Sequence, residues 1–230
     1  MAVHLERAVA GLQRRLLVLS ARVEETVREA VKSVESRDAE MARHVIDNDN
    51  EIDQLEVDIE EECLKVLALY QPVAVDLRFI ITVLKINDAL ERIGDVAVNI
   101  AERSLFLARQ RQPEIYFDFP AMAQKAQAML GSSLDALVNS DSQLARQVCL
   151  ADDEVDAMNR QMYEQTKVGI RRHVEDVDTL IHLLGVSRHL ERIADLAVMI
   201  AEDVIYLAEG EIVRHRTEDF KTQVPREESP

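Results

Sequence analysis

Glycine, proline and aromatic residues are scarce in this chain. Its 230 residues include 6 glycines, 5 prolines and no tryptophan. Because glycine and proline interrupt helices and strands, their scarcity predicts long, uninterrupted elements. Alanine, leucine, glutamate, arginine and valine dominate instead. This composition favours helices over strands.

Positive charge and long apolar segments are also in short supply. The formal net charge of -16 argues against direct binding to nucleic acid and to an anionic membrane surface, which both attract basic patches. It favours cations, or a protein with a basic face, as partners. No apolar run reaches the about 20 residues of a membrane helix. We therefore predict a cytoplasmic protein without membrane insertion.

The chain has only two cysteines, Cys63 and Cys149, and both lie within segments of helical apolar spacing. The sequence shows neither a signal-peptide pattern nor a dense cysteine pattern. We therefore interpret the two cysteines as reduced core residues. A redox pair is the functional alternative to this interpretation.

The sequence contains an internal repeat. The segment Leu90–Asp95 recurs as Leu190–Asp195 at an offset of 100 residues, and Asp49–Asp53 matches Asp152–Asp156 at an offset of 103. We expect the turn between the two motifs to absorb the difference. A repeat of this length predicts two copies of one small domain.

Helical periodicity places three long helices in each copy. Apolar residues in the third recur in alternating steps of three and four, which is typical of bundle packing. The predicted helices cover about 3–35, 38–70, 73–110, 120–139, 141–173 and 176–209. We predict an all-α protein of two tandem antiparallel three-helix bundles related by a pseudo-twofold internal repeat. The predicted divisions are a first repeat at 1–111, a linker at 112–119, a second repeat at 120–210 and a polar tail at 211–230.

Oxygen-bearing side chains share one flank of the third and last predicted helices. Solvated helix faces usually mix charges of both signs, because an acid four residues before a base stabilises a helix. Here Glu91 is followed at that spacing by Asp95, and Glu191 by Asp195, which is unfavourable. Asp88 has Arg92 as a possible partner, and a solvated face is the alternative interpretation. The flank consists of Asp88, Glu91, Asp95, Asn99 and Glu102 in the first copy and Glu191, Asp195 and Glu202 in the second.

A second pair of carboxylates is predicted to face each flank. If the second and third helices fold back near residue 72, Asp53 lies level with Glu91 and Asp49 with Asp95. In the second copy, Asp152 and Asp156 come within a turn of Glu191 and Asp195. Converging carboxylates raise one another's pKa or bind a metal ion. Oxygen ligands suit Mg, Mn or Fe; Zn is a further candidate, and the metal's identity stays open.

The same motifs carry a family resemblance. Asp76-Leu77-Arg78, the segment Leu90–Glu102 and its second copy Leu190–Glu202 resemble the signature of the PhoU family. The resemblance extends over about residues 5–210. It implies two three-helix bundles that carry E(D)-x-x-x-D metal motifs on an exposed face. It also implies a regulator without catalytic activity.

The resemblance further implies partners and a role. Proteins of this family link the ATPase subunit of the phosphate ABC transporter to the phosphate-sensing histidine kinase, and restrain the phosphate-starvation response and phosphate uptake. We also expect a homodimer. The second copy departs from the pattern, with Met199 in place of Asn99 and Arg188 in place of Asp88. We therefore predict a weaker second metal site.

Two other functions stay open at this point. A carboxylate-bridged metal enzyme of the ferritin-like class needs inward Glu-x-x-His pairs, and the acidic flank has none, since His182 and His189 lie on another side of the last helix. A metal-free helical scaffold would leave the acidic flank solvated. Arg78, Arg92 and Arg192 either contact an anion or form ion pairs on the helix surface.

Overall fold

The computed structural model describes residues 2–113 and 118–213, and within these ranges the chain is helical and contains no strand. The prediction of an all-α fold is confirmed. Residues 114–117 of the predicted linker and 214–230 of the predicted tail lie outside the described residues. The elements are α1 (Ala2–Ser36), α2 (Ala39–Asp47), α3 (Asp49–Tyr70), α4 (Ala74–Leu107), α5 (Phe119–Asn139), α6 (Ser142–Arg172), a 3-10 turn (Val174–Asp176) and α7 (Val177–Glu209).

The helix that we predicted over 38–70 is two helices, α2 and α3. They are separated at Asn48, which has φ -96° and ψ 3°. Its side-chain Nδ2 donates a hydrogen bond to Nε2 of His44 at 2.9 Å. Aspartate and asparagine are poor helix formers because their side chains compete for backbone hydrogen bonds. The run Asp47-Asn48-Asp49 therefore accounts for the interruption.

The internal repeat is visible in the helix caps. Asp38 accepts hydrogen bonds from the backbone N–H groups of Glu40 and Met41 at 2.9 and 3.0 Å. Asp141, its counterpart at an offset of 103, accepts bonds from Gln143 and Leu144 at the same two distances. An aspartate in this position satisfies backbone donors that the first helical turn leaves free. The same device thus starts α2 and α6.

Each copy is a bundle of three long helical segments. The first bundle consists of α1, the α2–α3 segment and α4, and the second consists of α5, α6 and α7. The apolar positions of α4 and α7 lie inside: Leu90 and Leu190 are both 0% exposed. Cys63 and Cys149 are free and buried, and burial raises the pKa of each thiol to about 12. No helix in the described ranges is long and apolar enough to cross a membrane.

The two bundles pack against each other mainly through α4 and α7, which run antiparallel. Lys85 of α4 pairs with Asp203 of α7 at 2.9 Å. Further along α4, Phe106 stacks on His182, with ring centroids 3.7 Å apart. Residues later in α4 contact residues earlier in α7, as expected when a pseudo-twofold axis relates the two copies. Because of this packing, residues of α4 lie close to the second acidic cluster.

Candidate functional site

The first acidic cluster lies between α3 and α4. Burial, followed by the charges of Asp53 and Asp95, raises the pKa of Asp49. Burial, then Asp95 and Asp53, also raises the pKa of Glu91. A Cβ placed on Gly94 would lie 3.8 Å from Asp49 Oδ1, so a glycine at this point of α4 gives α3 a close approach. The four carboxylates lie near one another, as the fold-back near residue 72 predicts.

The second acidic cluster lies at the equivalent place between α6 and α7. Burial is the largest cause that raises the pKa of Asp152 to about 6, and Asp156, Asp195 and Glu191 add to it. Burial and Glu191 raise the pKa of Asp195, whereas Arg192 lowers it. Each copy therefore brings a pair of acids from one helix towards a pair from the next.

Two carboxylate oxygens in these clusters lack a partner. Asp49 Oδ1 and Asp152 Oδ1 are buried and accept no hydrogen bond from any described residue. The two residues are repeat counterparts at an offset of 103. A buried acceptor without a partner costs about 1–3 kcal/mol. A carboxylate oxygen that accepts no hydrogen bond can coordinate a cation, and such an oxygen occurs at the same place in both copies.

The carboxylates do not meet at a single point. Among residues 2–113 and 118–213, no three histidine, cysteine, aspartate or glutamate side chains are arranged closely enough to hold a metal ion. Neighbouring carboxylates repel each other without a cation, so an open arrangement is expected. A magnesium ion commonly uses one or two carboxylates and fills its other positions with water. The residues fit such a site in chemical type, and their side chains would have to move to complete it.

The other predicted ligands lie at the margins of the clusters. Asp88 pairs with Arg92 at 3.2 Å, which is the partner that we considered. Asn99 Nδ2 donates to the Asp95 carbonyl oxygen at 2.7 Å, and Glu102 is exposed. Glu202 lies close enough to the thiol of Cys149 on α6 to raise its pKa.

Sequence reasoning missed an acid in the first cluster. Burial, together with Glu60, Asp88 and Asp53, raises the pKa of Glu56. Its Oε1 accepts a hydrogen bond from Asn87 Nδ2 at 3.1 Å. Glu56 follows Asp53 by three residues, and this spacing on one helix face could have identified it. In the second copy the counterpart Asn159 accepts a bond from Ser187 Oγ at 2.7 Å, so that cluster lacks the additional acid.

A groove of about 570 Å³ adjoins the second acidic cluster. Burial, followed by Arg103 and Arg188, lowers the pKa of His189 to about 4, so its ring is neutral at pH 7. Arg188 and Arg192 are exposed, and the groove therefore opens to solvent. It is lined by Arg103 of α4 and by Arg188, His189, Glu191, Arg192 and Asp195 of α7.

The fold recurs in known proteins. The profile of the PhoU domain matches this chain twice, at residues 16–104 and 119–204. The chain belongs to the PhoU family. A phosphate-specific transport system accessory protein PhoU homolog of Aquifex aeolicus is 38% identical over 204 residues, which is 89% of this chain and 92% of the relative. A homolog of the same name in Pseudomonas aeruginosa is 35% identical over 201 residues, 87% of this chain and 83% of the relative.

Solved PhoU structures share the arrangement of both bundles. The crystal structure of PhoU from Pseudomonas aeruginosa superposes with a TM-score of 0.87 at 33% identity, covering 90% of this chain and 99% of that one. The phosphate transport system regulatory protein PhoU from Streptococcus pneumoniae gives 0.82 at 30% identity, covering 91% and 99%. The tandem-bundle prediction and the PhoU resemblance are confirmed.

Proposed function

We propose that this protein is a regulatory adaptor of phosphate transport without catalytic activity. In this role it links the ATPase subunit of a phosphate ABC transporter to a phosphate-sensing histidine kinase in the cytoplasm, and restrains the starvation response and phosphate uptake. The observation that supports the proposal is the family membership over both repeats, with relatives named as accessory proteins of phosphate-specific transport.

The surface chemistry supports an adaptor that recognises basic partners. The chain carries a net charge of -16, and its long helices expose several turns of polar surface. A stable protein–protein contact needs about 800 Å² from each partner, an area that a few exposed helical turns provide. Complementary charge speeds association and is screened by salt. Binding to a basic face of the ATPase or the kinase is therefore expected to weaken as ionic strength rises.

We further propose that the two acidic clusters bind divalent cations, and that the cation helps to set the shape of the adjacent exposed face. Asp49, Asp53, Glu91 and Asp95 would hold the ion in the first copy, and Glu56 lies beside them. The second site would use Asp152, Asp156, Glu191 and Asp195. A bound cation would neutralise carboxylates that otherwise repel each other.

Deletion of the gene and a binding assay test the adaptor role together. The deletion strain should express phosphate-starvation genes and accumulate phosphate when phosphate is plentiful. The purified protein should retain the transporter ATPase or the kinase on a column at low salt and release it at high salt. Normal repression in the deletion strain, combined with no retention of either partner, would overturn the proposed role and leave the family membership intact.

A further inference from the structure

Arg103 of α4 lacks the counter-ion that its position in the fold leads one to expect. The pseudo-twofold axis relates Arg103 to Asp203 and Gly185 to Lys85. The contact between Arg103 and Gly185 is therefore the counterpart of the contact between Asp203 and Lys85. The Lys85–Asp203 pair is closed at 2.9 Å, and the Asp203 side chain is only 7% exposed. Arg103 Nε is buried and has no hydrogen-bond acceptor among the described residues. A charged group in this position needs a compensating partner.

The glycine at position 185 makes room for the arginine. A Cβ added to Gly185 would lie 2.6 Å from Arg103 Nε, closer than any side chain could come without displacing the guanidinium. The first copy has Lys85 at the equivalent position. The groove therefore holds the Arg103 guanidinium against the backbone of α7, at the place where a side chain would otherwise lie.

At another position of this groove, the second copy has a basic residue where the first copy has an acidic one. In the first copy Arg92 pairs with Asp88 at 3.2 Å. In the second, Arg188 stands at the place of Asp88, four residues before Arg192. Within the described part of the chain, none of the guanidinium groups of Arg103, Arg188 and Arg192 lies within 4.0 Å of a carboxylate. The groove beside the second cluster thus collects three arginines that have no ion pair among the described residues, one from α4 and two from α7.

The charge of the groove differs from that of its counterpart. Three arginines face two carboxylates in the groove beside the second cluster, which leaves a net positive charge. The positions that the pseudo-twofold axis relates to these carry two cations and four carboxylates, so that face repels anions. These positions are Lys85, Arg92, Asp88, Glu91, Asp95 and Asp203.

We propose that this groove binds a phosphate group between Arg103, Arg188 and His189. His189 Nε2 is buried and unpartnered among the described residues, as is Arg103 Nε; Arg103 Nε is a donor without an acceptor, and the His189 ring donates from Nε2 in its Nε2–H tautomer. The planar guanidinium group of an arginine can donate two parallel hydrogen bonds to two oxygens of one phosphate group. Several donors from two helices suit the four oxygens of a tetrahedral oxyanion better than the two of a carboxylate. The site depends neither on the adaptor role nor on a bound metal.

Calorimetric titration of the full-length protein with inorganic phosphate at low ionic strength is the direct test. Arg103→Gln and Arg188→Gln should each weaken phosphate binding about tenfold or more, because each removes a charge-assisted hydrogen bond. Gly185→Ala should also weaken it, since it displaces the guanidinium and changes no charge. Arg92→Gln is the matched control from the first copy and should leave phosphate affinity unchanged. Circular dichroism confirms that each variant is folded.

Additional ligands define the chemistry of the groove. O-phosphoserine tests whether the phosphate group of an ester binds as free phosphate does, and binding of either supports the proposal. Acetate at matched ionic strength should bind at least about tenfold more weakly, because it offers fewer acceptors to the same donors. Titrations with and without chelator should show the same dependence on Arg103. The proposal is overturned if neither phosphate ligand binds, if acetate binds equally well, or if Arg92→Gln costs as much as Arg103→Gln.

Discussion

The two copies have the same interior and different faces. Leu90 and Leu190 are equally buried, and Asp38 and Asp141 cap their helices in the same way. Along the contact of α4 with α7, the copies diverge: the first has a closed Lys85–Asp203 pair, whereas the second has an open groove with three arginines. Packing constrains the core positions of both copies alike. The surface positions are not under this constraint, and in the two copies they carry opposite charge.

The largest expected effect tests the shared interior. Leu90→Ala and Leu190→Ala each remove a fully buried side chain at equivalent positions. Each should lower the free energy of unfolding by about 2–5 kcal/mol, through lost burial and the cavity left behind. Urea denaturation measures both variants against wild type. A loss at one position at least twice that at the other would show that the two cores are not equivalent.

The next prediction compares how much Lys85 and Arg103 each contribute to the stability of the fold. Lys85→Met leaves the buried Asp203 carboxylate without its Lys85 counter-ion and should cost about 1–3 kcal/mol of stability. Arg103→Met removes a charge that has no ion pair among the described residues and should cost less than about 0.5 kcal/mol, or even stabilise the phosphate-free protein. Thermal melts in a buffer without phosphate compare the two. Equal destabilisation would mean that Arg103 has a stabilising partner.

A smaller effect concerns pH and the second acidic cluster. The pKa of Asp152 is raised to about 6, and the pKa values of Asp49, Glu91 and Asp195 are raised in the same direction. A raised carboxyl pKa means that the folded state binds protons more tightly than the unfolded state. Its stabilising contribution is complete below the unfolded pKa and is lost as pH rises through about 6 for Asp152.

The lowered pKa of His189 acts in the opposite direction, so the contribution of Asp152 is measured as a difference: in chelator-treated protein, the melting temperature of wild type minus that of Asp152→Asn should rise as the pH is lowered from about 7.5 to 5.5. Asp152→Asn imitates the protonated side chain, so it should raise the melting temperature at pH 7.5, and its advantage over wild type should shrink as the pH is lowered to 5.5. Asp153→Asn is a neighbouring exposed control and should change the profile less. A difference between wild type and Asp152→Asn that does not change between pH 7.5 and 5.5 would contradict the raised pKa of this carboxylate.

Much of this architecture is predictable from the sequence because it follows from periodicity. The apolar spacing of α4, the repeat of Leu90–Asp95 as Leu190–Asp195 and the turn near residue 72 predict which helices pack and which acids face each other. The break at Asn48 was missed, since a short run of poor helix formers is a weak signal within a long amphipathic pattern. Helix count is therefore less predictable than bundle arrangement.

The groove beside the second cluster was not predicted, because it depends on how two distant helices are aligned. Arg103 and Gly185 meet only through the antiparallel packing of α4 and α7. The sequence does contain the exchange of Asp88 for Arg188, but its significance appears only beside the closed Lys85–Asp203 pair. Of the three arginines that we considered for an anion, Arg92 forms an ion pair with Asp88 and Arg78 lies over the Tyr206 ring at 5.7 Å, so only Arg192 lines the groove.

Competitive titration of the chelator-treated protein with a divalent cation tests the central claim, that one scaffold carries two unequal metal sites. The first site has Glu56 and Asn99 nearby, whereas the second has Asn159 and Met199 at the equivalent positions. Wild type should show a tighter and a weaker binding step, with Glu91→Gln removing the tighter and Glu191→Gln the weaker. Equal losses in the two variants, or no binding by wild type, would contradict the account.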